Sequence, residues 1–140
     1  MDRIFLRDLC LSCTIGVNDW EREVEQTVKI DLDLELDLSE AGKKDDLRLT
    51  VDYKIVRDRI ETLVARSRFF LVEALAERIA EACLEEPGVR RVRVSVQKPG
   101  ALRGTRTVGV EIIRDQGPAP AQPPPEESGG EEAISYQAKG

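Results

Sequence analysis

Histidine does not occur anywhere in this 140-residue chain. Neither a Ser-His-Asp nor a Cys-His site can be assembled, and no metal can be held by imidazole. Proton transfer therefore falls to carboxylates, Lys, Tyr or Cys. Aromatic residues are scarce at 4%, with a single tryptophan. No stretch approaches the roughly 20 consecutive apolar residues of a membrane span. Met1-Asp2-Arg3, followed closely by Arg7 and Asp8, does not read as a secretory leader. A cytoplasmic location with no membrane partner is expected, with Cys10, Cys13 and Cys83 as reduced thiols. Positive charge is in deficit too, 21 Lys and Arg against 27 Asp and Glu, for a net −6. That balance argues against nucleic acid as a partner, because sequence-independent duplex binding needs a basic face.

What is present has the size of one ordinary domain, with 41% apolar and 34% charged residues. The acidic excess is uneven. Residues 115–140 hold five acids against one base and five of the seven prolines, which leaves residues 1–114 at a net −2. The run from Gly117 to Pro125 has no apolar periodicity to offset the entropy of ordering it. The expected organisation is a folded domain over residues 1–114 and a disordered acidic, Pro-rich tail over 115–140.

Arg3 to Ile15 is rich in strand formers and contains neither Gly nor Pro. Val28, Ile30, Leu32, Leu34, Leu36 and Leu38 then alternate with Lys29, Asp31, Asp33, Glu35 and Asp37. Period-two alternation of that length predicts a strand buried on one face, its acidic row solvated. Residues 39–49 read as a polar connection. A helix is predicted from an N-cap at Asp52, with Ile55, Val56, Ile60, Leu63 and Val64 as its stripe. A second begins near Leu71 and ends at Pro87-Gly88. Two further alternating segments, Val92-Val94-Val96 and Val108-Val110-Ile112, complete the order ββααββ. The implied fold class is α+β: an antiparallel four-stranded sheet with two helices on its apolar face. Long edges and a polar outer face suggest that such sheets join between subunits, making the chain a homo-oligomer.

Candidate chemistry is dispersed. Cys10 and Cys13 have the spacing of a redox or zinc knuckle, but residues three apart on a strand face opposite ways and no second pair completes a metal shell. Glu21 belongs to the charged connection Asp19-Trp20-Glu21-Arg22-Glu23, where a lone tryptophan among charges is odd for a simple hairpin turn, although pattern alone favours a solvated turn around one buried ring. Glu73 falls in the first turn of the second helix, where it complements the helix dipole or grips a flat ligand by paired hydrogen bonds. Lys98, before Pro99, is either a strand-end charge or an acid/base, and Tyr53 is either packing or a phenolic acid/base.

Taken together, Thr14-Ile15-Gly16-Val17-Asn18-Asp19-Trp20-Glu21-Arg22, Gln26, Asp45-Asp46-Leu47, Val51-Asp52-Tyr53, Phe70-Leu71-Val72-Glu73-Ala74-Leu75-Ala76 and Lys98-Pro99-Gly100-Ala101 occur in an order and spacing that resembles the dihydroneopterin aldolases. The resemblance spans residues 1–114 and stops at the tail. It implies the tunnelling fold, with sheets joined into an oligomeric barrel, commonly an octamer of two stacked tetramers. It also implies an aldolase of folate synthesis that needs no metal or cofactor and splits 7,8-dihydroneopterin into 6-hydroxymethyl-7,8-dihydropterin and glycolaldehyde, with epimerisation as an accompanying activity. By the same resemblance, Glu73 and the backbone of Val72 would hold the pterin edge, Lys98 would exchange a proton at the ring nitrogen, and Glu21 would line the pocket and help place Lys98. Tyr53 of a neighbouring subunit would act at the side-chain hydroxyl. Arg103 and Arg106 leave open an epimerase acting on a pterin triphosphate, because phosphates favour Arg and Lys. A non-catalytic pterin-binding subunit is the third alternative. Tyr53, Glu21, Lys98 and Glu73 occurring together speak against it.

Overall fold

The computed structural model of the chain describes residues 1–117. Strand β1 spans Asp2–Cys13, β2 Gln26–Leu36, β3 Arg91–Leu102 and β4 Thr105–Asp115; helix α1 spans Ser39–Lys44, α2 Tyr53–Arg66 and α3 Val72–Leu84. The strands form one sheet in the order β1-β2-β3-β4, every neighbour antiparallel. Its apolar face carries Val28, Ile30, Leu32 and Leu34 of β2 beside Val92, Val94 and Val96 of β3, all fully buried. Val56, Ile60 and Val64 of α2 and Leu75, Ile79 and Cys83 of α3 complete the core from the helical layer. Each large aliphatic side chain so buried contributes about 1.5–3 kcal/mol. The expected two-layer α+β arrangement is the one observed.

Local chemistry explains where the elements begin. The Asp52 carboxylate accepts from the Lys54 N–H at 3.0 Å, capping α2 as expected. In β1 the apolar alternation changes phase between Leu6 and Leu9, where Arg7 and Asp8 together oppose Asp31 of β2 alone. Asp8 takes φ +59°, a bulge that returns Leu9, Leu11 and Cys13 to the inner face.

Two expectations are corrected. The connection 39–49 is not irregular: it contains α1, followed by a 3₁₀ turn at Leu47–Leu49. A Glu40–Lys44 pair one helical turn apart supports α1, which buries none of its residues and so leaves no apolar periodicity to read. The acidic row of β2 is also not uniformly solvated. Asp33 is only 5% exposed, because Arg7 pairs with it at 2.7 Å and Arg93 lies at 4.0 Å. At the far end of the fold, β4 continues through Asp115, and the Gln116 side chain donates to the carbonyls of Leu84 and Val89 at 2.7 and 2.9 Å. The expected tail beyond Gly117 lies outside the described residues.

The antiparallel layout gives the sheet two distinct ends. Cys13, Gln26 and Lys98 mark one end, and Leu36, Arg91 and Asp115 the other. Helix α2 starts at the second end, where Val51 and Asp52 share a cleft with Leu36 and Gly88. It runs 14 residues toward the first end, a length of about 21 Å. Helix α3 returns the opposite way, from a start close to Gly16 to an end beside Gln116.

Candidate active site

The end marked by Lys98 is where polar side chains enter the interior. Lys98 continues the inward-facing row Val92, Val94, Val96, and Gln26 heads the inward row of β2. Between β1 and β2 the chain passes through Thr14 and Ile15, both buried, turns at Gly16, and enters a 3₁₀ turn over Asp19–Arg22. That turn delivers Glu21, which is only 5% exposed, whereas the Trp20 ring expected to be its buried member is exposed at 61%: the hydrogen-bonded carboxylate takes the interior place instead.

A buried carboxylate is costly unless its oxygens are satisfied. Here one oxygen of Glu21 accepts from the Asn18 N–H at 3.1 Å and from the Asn18 side-chain amide at 3.0 Å. The other accepts from Lys98 Nζ at 2.8 Å and from the Gln26 amide at 3.2 Å. The Lys98 side chain is itself 14% exposed. The hydrogen bond from Lys98 draws the Glu21 pKa down from 4.5 to about 2 against the opposing effect of burial, with help from the Asn18 backbone and Gln26. Glu21 is therefore ionised at neutral pH. The result is an oriented ammonium group at a strand end, held by a carboxylate that cannot move without losing four donors.

Gly16 makes the close approach feasible. It sits at φ +128°, and the space its Cβ would fill is taken by the carboxyl group of Glu21. The Gly16 N–H also donates to the Phe69 carbonyl at 3.3 Å, bringing the segment before α3 against this turn. Val72 and Glu73 therefore lie at the same end of the sheet as Lys98. Val72 is half-buried and Glu73 exposed, and among the described residues the Glu73 carboxylate has no hydrogen bond or ion pair with another side chain. The N–H groups of Val72 and Glu73 lie in the first turn of α3, where no intrahelical acceptor exists.

Tyr53 is elsewhere. It opens α2 at the opposite end of the sheet and is 60% exposed. Of the five residues carried by the resemblance, one chain thus brings Glu21 and Lys98 into contact, sets Val72 and Glu73 near them, and holds Tyr53 apart. Asn18, Gln26 and Gly16 complete the site without any role that the sequence pattern assigns them. The signal for Gln26 and Lys98 was available: each shares the parity of the buried row on its strand. Cys10 is exposed and Cys13 buried, on opposite faces, and burial pushes the Cys13 thiol up. Among the described residues no group of three or more Cys, Asp or Glu is placed to hold a metal ion, and no helix is long and apolar enough to cross a membrane.

Comparison with known proteins supplies the family. The family model described as dihydroneopterin aldolase matches residues 4–113. The chain belongs to the dihydroneopterin aldolase family. The dihydroneopterin aldolase of Streptomyces coelicolor is 46% identical over 101 residues, covering 72% of this chain and 85% of that one. The Escherichia coli K12 dihydroneopterin aldolase is 37% identical over 114 residues, 81% of this chain and 93% of its own. The crystal structure of the E. coli aldolase in complex with neopterin superposes with a TM-score of 0.76 at 37% identity, covering 81% of this chain and 99% of that one. A dihydroneopterin triphosphate 2'-epimerase of Pseudomonas aeruginosa is 31% identical over 112 residues, 80% of this chain and 91% of its own. The chain spans 17% of the folic acid synthesis protein FOL1 of Dictyostelium discoideum, to which it is 38% identical over 114 residues.

Proposed function

We propose that the chain is a dihydroneopterin aldolase acting in folate synthesis, and that the Glu21–Lys98 pair is its acid/base centre. The observation that carries this reading is that buried pair, 2.8 Å long, within a chain of this family. The substrate is 7,8-dihydroneopterin. Its C6=N5 imine can accept an electron pair, so loss of the proton on the second side-chain hydroxyl breaks the bond between the first and second side-chain carbons and releases glycolaldehyde. The pair moves toward N5, where Lys98 supplies a proton. Protonation of the first side-chain carbon with loss of the N5 proton restores the imine and yields 6-hydroxymethyl-7,8-dihydropterin. Neither a Schiff base nor a metal is needed for that balance, only positioned acids and bases. Re-addition of glycolaldehyde to the other face gives epimerisation.

The Glu73 carboxylate and the first-turn N–H groups of α3 suit the amino-pyrimidinone edge of a pterin, with N–H donors facing the carboxylate and the ring carbonyl facing the backbone. Tyr53 would take the hydroxyl proton from a neighbouring copy. The length of α2, about 21 Å, supports this, because one chain holds Tyr53 at the far end from Lys98. So do the exposed apolar groups at the two ends, Val17, Trp20, Phe70 and Leu71 at one and Leu47, Leu49, Tyr53 and Ile55 at the other. Among the described residues the outer edges of β1 and β4 are unpaired, and they call for partners as well. The assembly would be a homo-octamer, or a tetramer, with shared sites, working in the cytoplasm. Inactive Tyr53→Phe and Lys98→Ala subunits, dissociated and reassembled together, should recover part of the activity. Failure despite demonstrated subunit exchange would remove the shared-site reading.

A second reading has a specific observation behind it. Arg103 is exposed in the β3–β4 turn and Arg106 at the start of β4, shortly after Lys98, where a triphosphate substrate would find cations. Incubation with dihydroneopterin and with its triphosphate, with products separated by chromatography, decides between them. Glycolaldehyde from the free pterin supports the aldolase, and epimerisation confined to the triphosphate supports the second reading.

A further inference from the structure

Arg22 follows Glu21 in the same 3₁₀ turn, yet its side chain points away from the ion pair and across to another part of the chain. One guanidinium nitrogen donates to the Gly16 carbonyl at 3.0 Å and to the Phe69 carbonyl at 3.1 Å, and the other donates to the Arg68 carbonyl. The same guanidinium stacks on the Phe70 ring, 4.2 Å from its centroid. In return the Arg68 guanidinium donates to the Arg22 carbonyl at 3.3 Å. A single half-buried side chain thus joins the Gly16 turn, which seats Glu21 and through it Lys98, to residues 68–70, which lead directly into Val72 and Glu73.

We infer that Arg22 is a positioning residue that sets the register between the pterin-gripping start of α3 and the Glu21–Lys98 acid/base pair. This rests on the roles proposed for Glu73 and Lys98. The physical reason is geometric. Ser67 caps the end of α2 and the Leu71 carbonyl accepts the first bonds of α3, but residues 68–70 between them make no helix or sheet hydrogen bond, so their placement relative to Lys98 depends on contacts made across the gap. Three carbonyls bonded by one planar, permanently charged donor fix that placement in more than one direction, which a flexible ammonium on a single bond does not do. A misplacement of about 1 Å between a held substrate and its acid/base costs about 100-fold in rate.

The test compares Arg22→Met and Arg22→Lys with wild type and Glu73→Ala, at a temperature at which each is folded. Turnover of dihydroneopterin is followed alongside the affinity for neopterin. Methionine keeps an apolar stem against Phe70 and donates no hydrogen bond. Arg22→Met should lower kcat by about 10- to 100-fold while neopterin affinity changes less than about threefold, because the grip at Glu73 survives. Arg22→Lys, able to reach one carbonyl, should fall between it and wild type. A lower Tm with wild-type kcat in the folded variant would reduce Arg22 to a structural brace and overturn the inference. If Arg22→Met does not fold, wild-type kcat in Arg22→Lys has the same force. Unchanged neopterin affinity in Glu73→Ala would instead overturn the reading of Glu73, a result distinguishable from failure of the clamp.

Discussion

Replacing Gly16 by alanine adds one methyl group at the point where this fold has least room for it. At φ +128° an L-residue is strained, at a cost of about 1–3 kcal/mol. The new Cβ would also overlap Cδ and both carboxylate oxygens of Glu21, so the carboxylate must leave. Its departure breaks the 2.8 Å pair with Lys98 and the bonds from Asn18 and Gln26. Breaking a buried pair costs about 3–5 kcal/mol when the remaining charge stays buried. Lys98, with a side chain 14% exposed, can recover part of this by turning toward water. The two terms sum to about 4–8 kcal/mol, and the recovery at Lys98 brings the net loss to about 4 kcal/mol, which corresponds to a fall of roughly 15 °C in Tm for a domain of this size. Turnover should suffer more than stability at the working temperature, because the acid/base group is no longer held; a decrease of about 100-fold is expected. Thermal unfolding and chromatographic product analysis on the same preparation measure both. Wild-type Tm together with wild-type turnover in Gly16→Ala would show that Glu21 does not occupy the space above Gly16, and the description of the site would fail with it.

Lys98→Ala should lower turnover by about 10²–10⁴-fold, and Lys98→Arg should restore little, since a guanidinium does not release its proton near neutral pH. Borohydride added during turnover should leave no mass increment on Lys98, and a trapped adduct there would replace the acid/base mechanism with a covalent one. Glu21 has a folded-state pKa lowered from 4.5 to about 2, so its contribution to stability is present above the ordinary carboxylate range and lost as pH falls toward 2. The Tm difference between wild type and Glu21→Gln should therefore shrink across that window, and an equal difference at pH near 7 and near 3 would contradict it. A chain ending at Gly117 should keep its Tm and turnover. One ending at Arg114 forfeits the two bonds made by Gln116, worth about 1–3 kcal/mol together; loss of turnover in the longer chain would mean that residues beyond Gly117 contribute to the site.

Much of this protein is legible without coordinates, because strand alternation and helical stripes are local consequences of burial. Val28 to Leu36 and Val92 to Val96 declare their faces by period two, and the breaks at Asp52 and at Pro87-Gly88 delimit the helices. The same parity already directs Gln26 and Lys98 inward. Helix α1 escapes such reading because none of its side chains is buried, and periodicity exists only where there is an inside to face. The bulge at Asp8 escapes as well, since a change of phase in β1 acquires meaning only from the register of β2 against it. The meeting of Glu21 with Lys98, 77 residues away along the chain, belongs to tertiary structure alone. So does the joining of residues 68–70 to the Gly16 turn by Arg22. No local pattern encodes a hydrogen bond between segments that only the closing of the sheet against its helices brings together. The separation of Tyr53 from Lys98 has the same origin: the direction in which α2 crosses the sheet places them at opposite ends, and that direction is set by packing.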